Sequence, residues 1–224
     1  MSSTANRPVS EKPLGILGGT FDPVHAAHMR LAEEAVRQLR LGGVLWIPAG
    51  QPRHRAQPQA DAGHRLAMVR AAIAGHPDYR LDDAEVRSGQ ASYTVPTLER
   101  LRAKYGDDRP LVLLMGADAF RGLASWHRWR ELFRLAHLGV ASRPTFDLDV
   151  DAMAPELADE FRRRRRSQST ALATAPAGTI VTFPLSAGTV SSTEVRAKLG
   201  AGAEVQELLP APVLDYIRRH KLYR

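Results

Sequence analysis

Five short apolar runs, at residues 14–17, 44–47, 111–115, 138–141 and 179–183, constrain this chain more than any other feature. Each is four or five residues long, the length of a buried strand rather than of a helix. The first stops at Gly18-Gly19 and the second at Pro48. Between the runs the apolar spacing is helical: Met29, Ala32, Val36 and Leu39; then Leu66, Val69 and Ile73; then residues 93–105; then Trp129, Leu132, Phe133 and Leu135. Strands separated by helices of this length imply parallel βαβ units. The expected architecture is α/β, a doubly wound parallel sheet with a helical C-terminal portion over residues 190–224.

Residues 1–13 carry no apolar stretch and read as a loose polar tail, leaving residues 14–224 as one domain. Within it, residues 49–60 form a basic loop broken by proline. Residues 144–178 form a polar insert rich in alanine and arginine, with one exposed helix expected at 155–166. A strong helix start falls at 190–199. No segment approaches the ~20 apolar residues of a membrane span. Cysteine is absent, which removes disulfide frameworks, thiolate zinc sites and thiol nucleophiles together. A cytoplasmic protein is the expectation, and a homo-oligomer is compatible with the pattern. The net charge of +7 comes from 31 Lys and Arg against 24 Asp and Glu, but five of the cations are the single run 162–166. That run lacks interleaved aromatics for base stacking and reads as a solvated helix face or loop rather than a nucleic-acid site.

The densest chemistry follows the first strand, in GGTFDPVHAAH at residues 18–28. Ligands of parallel sheets gather at the carboxyl ends of strands, where loops meet helix N-termini. Gly18 and Gly19 let the backbone approach a phosphate closely, and exposed N–H groups there favour anions. His25 and His28, three apart at a helix start, can project to the same side. From there both can donate to charge that develops on a phosphate during transfer. A second segment, Ser191-Ser192-Thr193-Glu194 with Arg196 one turn on, fits a capping box with Ser191 as N-cap and Glu194 reaching back. It reads equally as a polyphosphate cradle or as a plain helix cap with a surface arginine. Taken alone, the basic residues Arg53, His54 and Arg55 are a solvated loop, and Trp126 a core-capping aromatic.

These segments resemble the HxGH nucleotidyltransferase superfamily, and within it bacterial nicotinate-nucleotide adenylyltransferases. Further matches are IPAGQPRHR (47–55), SYTVPTL (92–98), GADAF (116–120), SWHRW (125–129), HLGVASRP (137–144), VSSTEVR (190–196) and the ending LLPAPVLDYIRRHKLYR. The resemblance implies a Rossmann-like nucleotidyltransferase fold. It implies ATP binding by Gly18, Gly19, Thr20, Phe21, His28, Ser191, Ser192, Thr193 and Arg196, with His25, His28 and Arg196 catalytic. It assigns the mononucleotide to Asp22, Arg55, Thr94, Asp118, Trp126, His127 and Arg143. There Trp126 would stack on the pyridine ring, and Thr94 with N–H groups near His127 would read its carboxylate. Asp118 would meet a ribose or help hold metal, Arg143 would lie near phosphates, and Arg55 would be a movable cation. The signature departs from its usual form at Ala27, where glycine is common, and Ala49-Gly50 stand where the loop often has asparagine.

The implied substrates are ATP, with Mg²⁺, and nicotinate mononucleotide, and the implied products are nicotinate adenine dinucleotide and pyrophosphate. No dedicated protein metal site is expected. A sister enzyme acting on pantetheine phosphate or an alcohol phosphate would share the two nucleotide motifs but not Trp126 and SYTVPTL. An enzyme preferring the nicotinamide mononucleotide would differ only in the ring pocket.

Overall fold

The computed structural model describes residues 12–52, 57–142, 148–185 and 190–224. In chain order its elements are β1 (Leu14–Gly19), α1 (Ala26–Leu39), β2 (Val44–Pro48), β3 (Gln51–Pro52), α2 (Ala62–Ile73), β4 (Tyr79–Leu81), α3 (Ala84–Ser88), β5 (Ala91–Ser92) and α4 (Thr94–Tyr105). There follow β6 (Leu111–Gly116), α5 (Ala117–Arg121), α6 (Leu132–Leu135), β7 (His137–Ser142), α7 (Pro155–Arg164), β8 (Arg165–Arg166), β9 (Ile180–Pro184), α8 (Ser192–Gly200) and α9 (Ala211–His220). Seven strands form one sheet in the order β4-β2-β1-β6-β7-β9-β8, and every pairing is parallel.

Both faces of the sheet are buried, so its strands read as unbroken apolar runs rather than alternating ones. Successive residues nonetheless serve opposite layers. Leu17, Val44, Trp46, Val112, Leu114, Val181 and Phe183 pack with α1, α2, α8 and α9. Ile16, Leu45, Ile47, Leu111, Leu113, Leu138 and Ile180 pack with α4, α5, α6 and α7. α1 can lie close against the sheet because Gly139 has no side chain: a Cβ there would stand 2.9 Å from both Leu39 and Leu114.

The order places β1 and β6 side by side at the centre, with the chain winding away from them in opposite directions. α1 leaves β1 over one face, and α5 leaves β6 over the other. Their loops therefore diverge at the carboxyl edge, the place where doubly wound sheets bind ligands.

Four local expectations need correction. The helix expected at 155–166 ends at Arg164, because Arg165 turns extended (φ −60°, ψ 133°) and Arg165-Arg166 join the sheet edge beside Ile180 and Val181. The helix expected at 129–135 is a 3₁₀ turn (Trp129–Glu131) followed by the single turn α6. The helix expected over 190–199 runs from Ser192 to Gly200, directly after its expected N-cap Ser191. The loop at 49–60 contains β3, which pairs with β5 as a separate two-stranded ribbon. Within the arginine run, Arg162 pairs with Asp159 at 3.2 Å, and Arg163 and Arg164 both pair with Glu160 at 2.5 Å. Much of its charge is thus offset on its own helix face, and the cationic β8 makes an unwelcoming edge for a further strand. No helix of the described residues is long and apolar enough to cross a membrane.

Candidate active site

Gly18 and Gly19 end β1 opposite Ile47 and Pro48 of β2. A Cβ on Gly18 would meet nothing within 4 Å, whereas one on Gly19 would strike the Phe21 ring at 2.9 Å. Gly18 thus faces open space at the strand end, and Gly19 yields its place to the buried Phe21. Phe21 takes a left-handed backbone (φ 52°) and fills the space between Trp46 (centroids 5.5 Å) and His28 (5.0 Å, edge-on). The Asp22–Pro23 peptide that follows is cis.

The chain then enters α1 with His25 as N-cap. The rings of His25 and His28 stack with centroids 3.8 Å apart and planes 28° apart. The main-chain N–H of His25 donates to His28 Nδ1 at 3.3 Å. A ring nitrogen that accepts cannot carry the proton, so neutral His28 holds its hydrogen on Nε2. His25 is 4% exposed and its Nδ1 has no hydrogen-bond partner. Burial pushes its imidazole down to about 4, so near neutral pH it acts as a hydrogen-bonding group rather than as a cation.

α8 is brought onto this motif from the far end of the sequence. Ser191 caps it, accepting from the Glu194 N–H at 3.1 Å. Ser192 Oγ donates to the Pro23 carbonyl at 3.1 Å, and Arg196 Nη1 donates to the Asp22 carbonyl at 2.8 Å. Thr193 Oγ1 lies 3.4 Å from Arg196 Nη2. The Nε of Arg196 is buried and has no hydrogen-bond partner among the described residues.

Asp22 is the hub of these loops. Its carboxylate accepts from the N–H groups of Gln59 (2.8 Å) and Ala60 (3.0 Å) and from the Tyr223 hydroxyl (2.8 Å), and it lies 3.5 Å from Arg196 Nη1. With these donors engaged, it organises the site from beneath. Arg65 works beside it. This guanidinium is 1% exposed and donates to the carbonyls of Ala60 (3.2 Å), Thr20 (2.7 Å), Ala49 (2.7 Å) and Gly50 (2.8 Å).

A second cluster lies around the start of α4. Thr94 begins that helix, and the ring of the preceding Tyr93 contacts His127 at 5.0 Å. Trp126 packs half-buried on the core layer beneath α4 and α6. The turn Trp126-His127-Arg128 is braced by Arg128, whose Nη2 reaches Glu99 of α4 at 2.6 Å while its Nε reaches Glu131 at 2.6 Å. The two clusters are joined through Gly50, whose N–H donates to Ser92 Oγ at 2.9 Å. No side chain fits at Gly50, since a Cβ would stand 2.2 Å from the Glu85 carbonyl.

Asp118, at the start of α5, is exposed and pairs with Arg121. Arg55 and Arg143 lie outside the described residues. Sequence reading missed Arg65 and the hydroxyl of Tyr223. A lone arginine in a helical pattern carries no periodic signal, and the Tyr223 contact with Asp22 spans 201 positions.

Fold and site together define a class: an α/β protein with a doubly wound parallel sheet whose histidine, arginine and carboxylate side chains gather at the carboxyl end of the central strand β1. The cytidylyltransferase-like family profile matches residues 16–198, from β1 into α8. A protein of Dechloromonas aromatica named probable nicotinate-nucleotide adenylyltransferase is 53% identical over 213 residues, spanning 95% of this chain and 98% of its own length. One of the same name from Pseudomonas aeruginosa is 41% identical, over 95% and 98%. The fold is shared with the Plasmodium falciparum nicotinic acid mononucleotide adenylyltransferase solved with NaAD (TM-score 0.69, 17% identity, 95% of this chain and 98% of that one). The chain belongs to the nicotinate-nucleotide adenylyltransferase family of cytidylyltransferase-like proteins.

Proposed function

We propose that this protein transfers AMP from ATP to nicotinate mononucleotide, giving nicotinate adenine dinucleotide and pyrophosphate, a step of NAD biosynthesis. The observation that carries the reading is the stacked His25–His28 pair at the start of α1, following the loop at the end of β1 whose Asp22 carbonyl holds Arg196. Family membership supplies the substrate pair, and the second cluster around Thr94, Trp126 and His127 is a suitable seat for the pyridine ring.

In this reading a 5′-phosphate oxygen of the mononucleotide attacks the α-phosphorus of ATP, and pyrophosphate leaves on the opposite side. The nucleophile is already anionic, so no strong general base is needed and catalysis is alignment plus charge stabilisation. His28, with its proton held on Nε2, donates to the phosphate oxygens on which charge develops. Arg196 and the loop cation Arg55 offset the charge of the polyphosphate. Asp22 holds Arg196 and the Gln59–Ala60 segment in fixed relation. Among the described residues no three His, Cys, Asp or Glu side chains gather as a metal cage. Magnesium carried in with ATP would supply further neutralisation of the polyphosphate charge, and Asp118 is the carboxylate the family resemblance offers to help hold it.

The test is pyrophosphate release with ATP and Mg²⁺, run side by side with nicotinate and nicotinamide mononucleotides. Strong preference for the acid is expected. Equal rates would keep the chemistry and remove the carboxylate-reading role of the Thr94–Trp126 cluster, and silence with both would remove the reaction.

A further inference from the structure

Arg65 stands in no motif, yet it is among the most completely buried side chains of the molecule. A buried cation is costly unless its donors are satisfied. Here the planar fork is satisfied by main-chain carbonyls from three separate segments: Thr20 after β1, Ala49 and Gly50 after β2, and Ala60 before α2. Among the described residues no carboxylate touches it directly, and Asp22 contributes compensating charge at longer range.

The direction of those carbonyls has a consequence for the groups on their other side. In a trans peptide the C=O and the following N–H point opposite ways. Among the described residues only Asp22–Pro23 is cis. Holding the Thr20 carbonyl at 2.7 Å therefore turns the Phe21 N–H away from Arg65. The same Nη1 holds the Ala49 carbonyl, which turns the Gly50 N–H outward to its partner Ser92 Oγ. One guanidinium thus sets the loop beside the histidine pair and the loop that leads to the Thr94 cluster in a single rigid relation.

We propose that Arg65 is a positioning residue: it fixes the loop after β1 against the loop after β2, and so sets the alignment of the two nucleotides and the aim of the main-chain N–H groups offered to phosphate. This inference rests on the adenylyl-transfer reading for its kinetic consequence and on geometry alone for its structural one. Lysine keeps the charge but is a point donor that cannot span the fork.

The experiment compares Arg65→Lys and Arg65→Ala with the parent by kcat, by KM for ATP and for nicotinate mononucleotide, by thermal melting, and by hydrogen exchange. In Arg65→Lys, assayed well below its melting temperature, kcat is expected to fall ~10–100-fold, the effect of sub-ångström misplacement of reacting groups, with both KM values little changed. Amides of residues 18–22 and 49–51 should exchange faster while those of β6 do not. In Arg65→Ala, millimolar guanidinium, far below the molar range that unfolds proteins, should restore part of kcat where methylammonium does not. A folded Arg65→Lys with parental kcat, a loss confined to one KM, or unchanged exchange in both loops would overturn the proposal. A parent protein silent with this substrate pair would refute the reaction and leave the clamp to be judged by exchange alone.

Discussion

Removing the Tyr223 hydroxyl by Tyr223→Phe tests the hub at Asp22. The phenol donates at 2.8 Å to Asp22 Oδ1, a buried bond to a carboxylate, and such bonds contribute about 1.5–3 kcal/mol. Oδ1 keeps the Ala60 N–H, and Oδ2 keeps the Gln59 N–H and Arg196. The carboxylate is therefore not orphaned, and the lower part of the range applies, about 1.5–2 kcal/mol. In a chain of this size that lowers Tm by roughly 3–8 °C. Burial and the adjoining carboxylate hold the Tyr223 hydroxyl well above the ordinary tyrosine range. The unfolded chain releases this proton near pH 10 and the folded chain only above that, so the tyrosine's contribution is complete below pH 10 and is lost as pH rises. At pH 11 the parent should have lost about 1.4 kcal/mol that the phenylalanine variant never had. Urea unfolding of both proteins near pH 7 and again near pH 11 measures the gap at each end. Equal stability near pH 7, or a gap that does not narrow in base, would refute the account of the hub.

His28→Ala should lower kcat far more than it raises KM for the mononucleotide, and steady-state kinetics showing parental turnover would remove His28 from the chemistry. Trp126→Ala should chiefly raise KM for nicotinate mononucleotide, and a change confined to the ATP constant would place the ring elsewhere. His25 binds a proton near 6.5 when unfolded and at about 4 when folded. Stability should therefore fall as pH drops from 6.5 toward 4, with His25 contributing about 3 kcal/mol of that fall. Acid titrations of His25→Gln by circular dichroism should show a shallower slope, and an unchanged slope would count against a buried neutral imidazole.

Much of the framework is legible in the sequence because local pattern and tertiary role agree there. The runs at 14–17, 44–47, 111–115, 138–141 and 179–183 become strands of the main sheet, and the histidine pair sits at a helix start as its spacing implies. What escapes is where long-range pairing decides. Arg165-Arg166 reads as the end of a charged helix, and only the presence of β9 beside it makes an edge strand. β3 and β5 are two residues each, too short for any period. Arg65 looks like one more helical cation until three loops fold their carbonyls around it, and nothing local marks Tyr223 as the partner of Asp22.

That last pairing also dates the site. Asp22 and Tyr223 are separated by 201 positions, and Arg196 reaches the Asp22 carbonyl across 174. At ~5–20 residues per second of synthesis, the loop after β1 exists for roughly 10–40 s before Tyr223 is even made. Through that interval β1, α1 and the histidine pair can be laid down, but the Asp22 carboxylate at their base lacks its hydroxyl partner, and Arg196 itself is not yet made for most of it. Adenylyl chemistry is therefore a property of the completed polypeptide, and an incomplete copy leaving the ribosome would carry the signature residues without the means to hold them to their task.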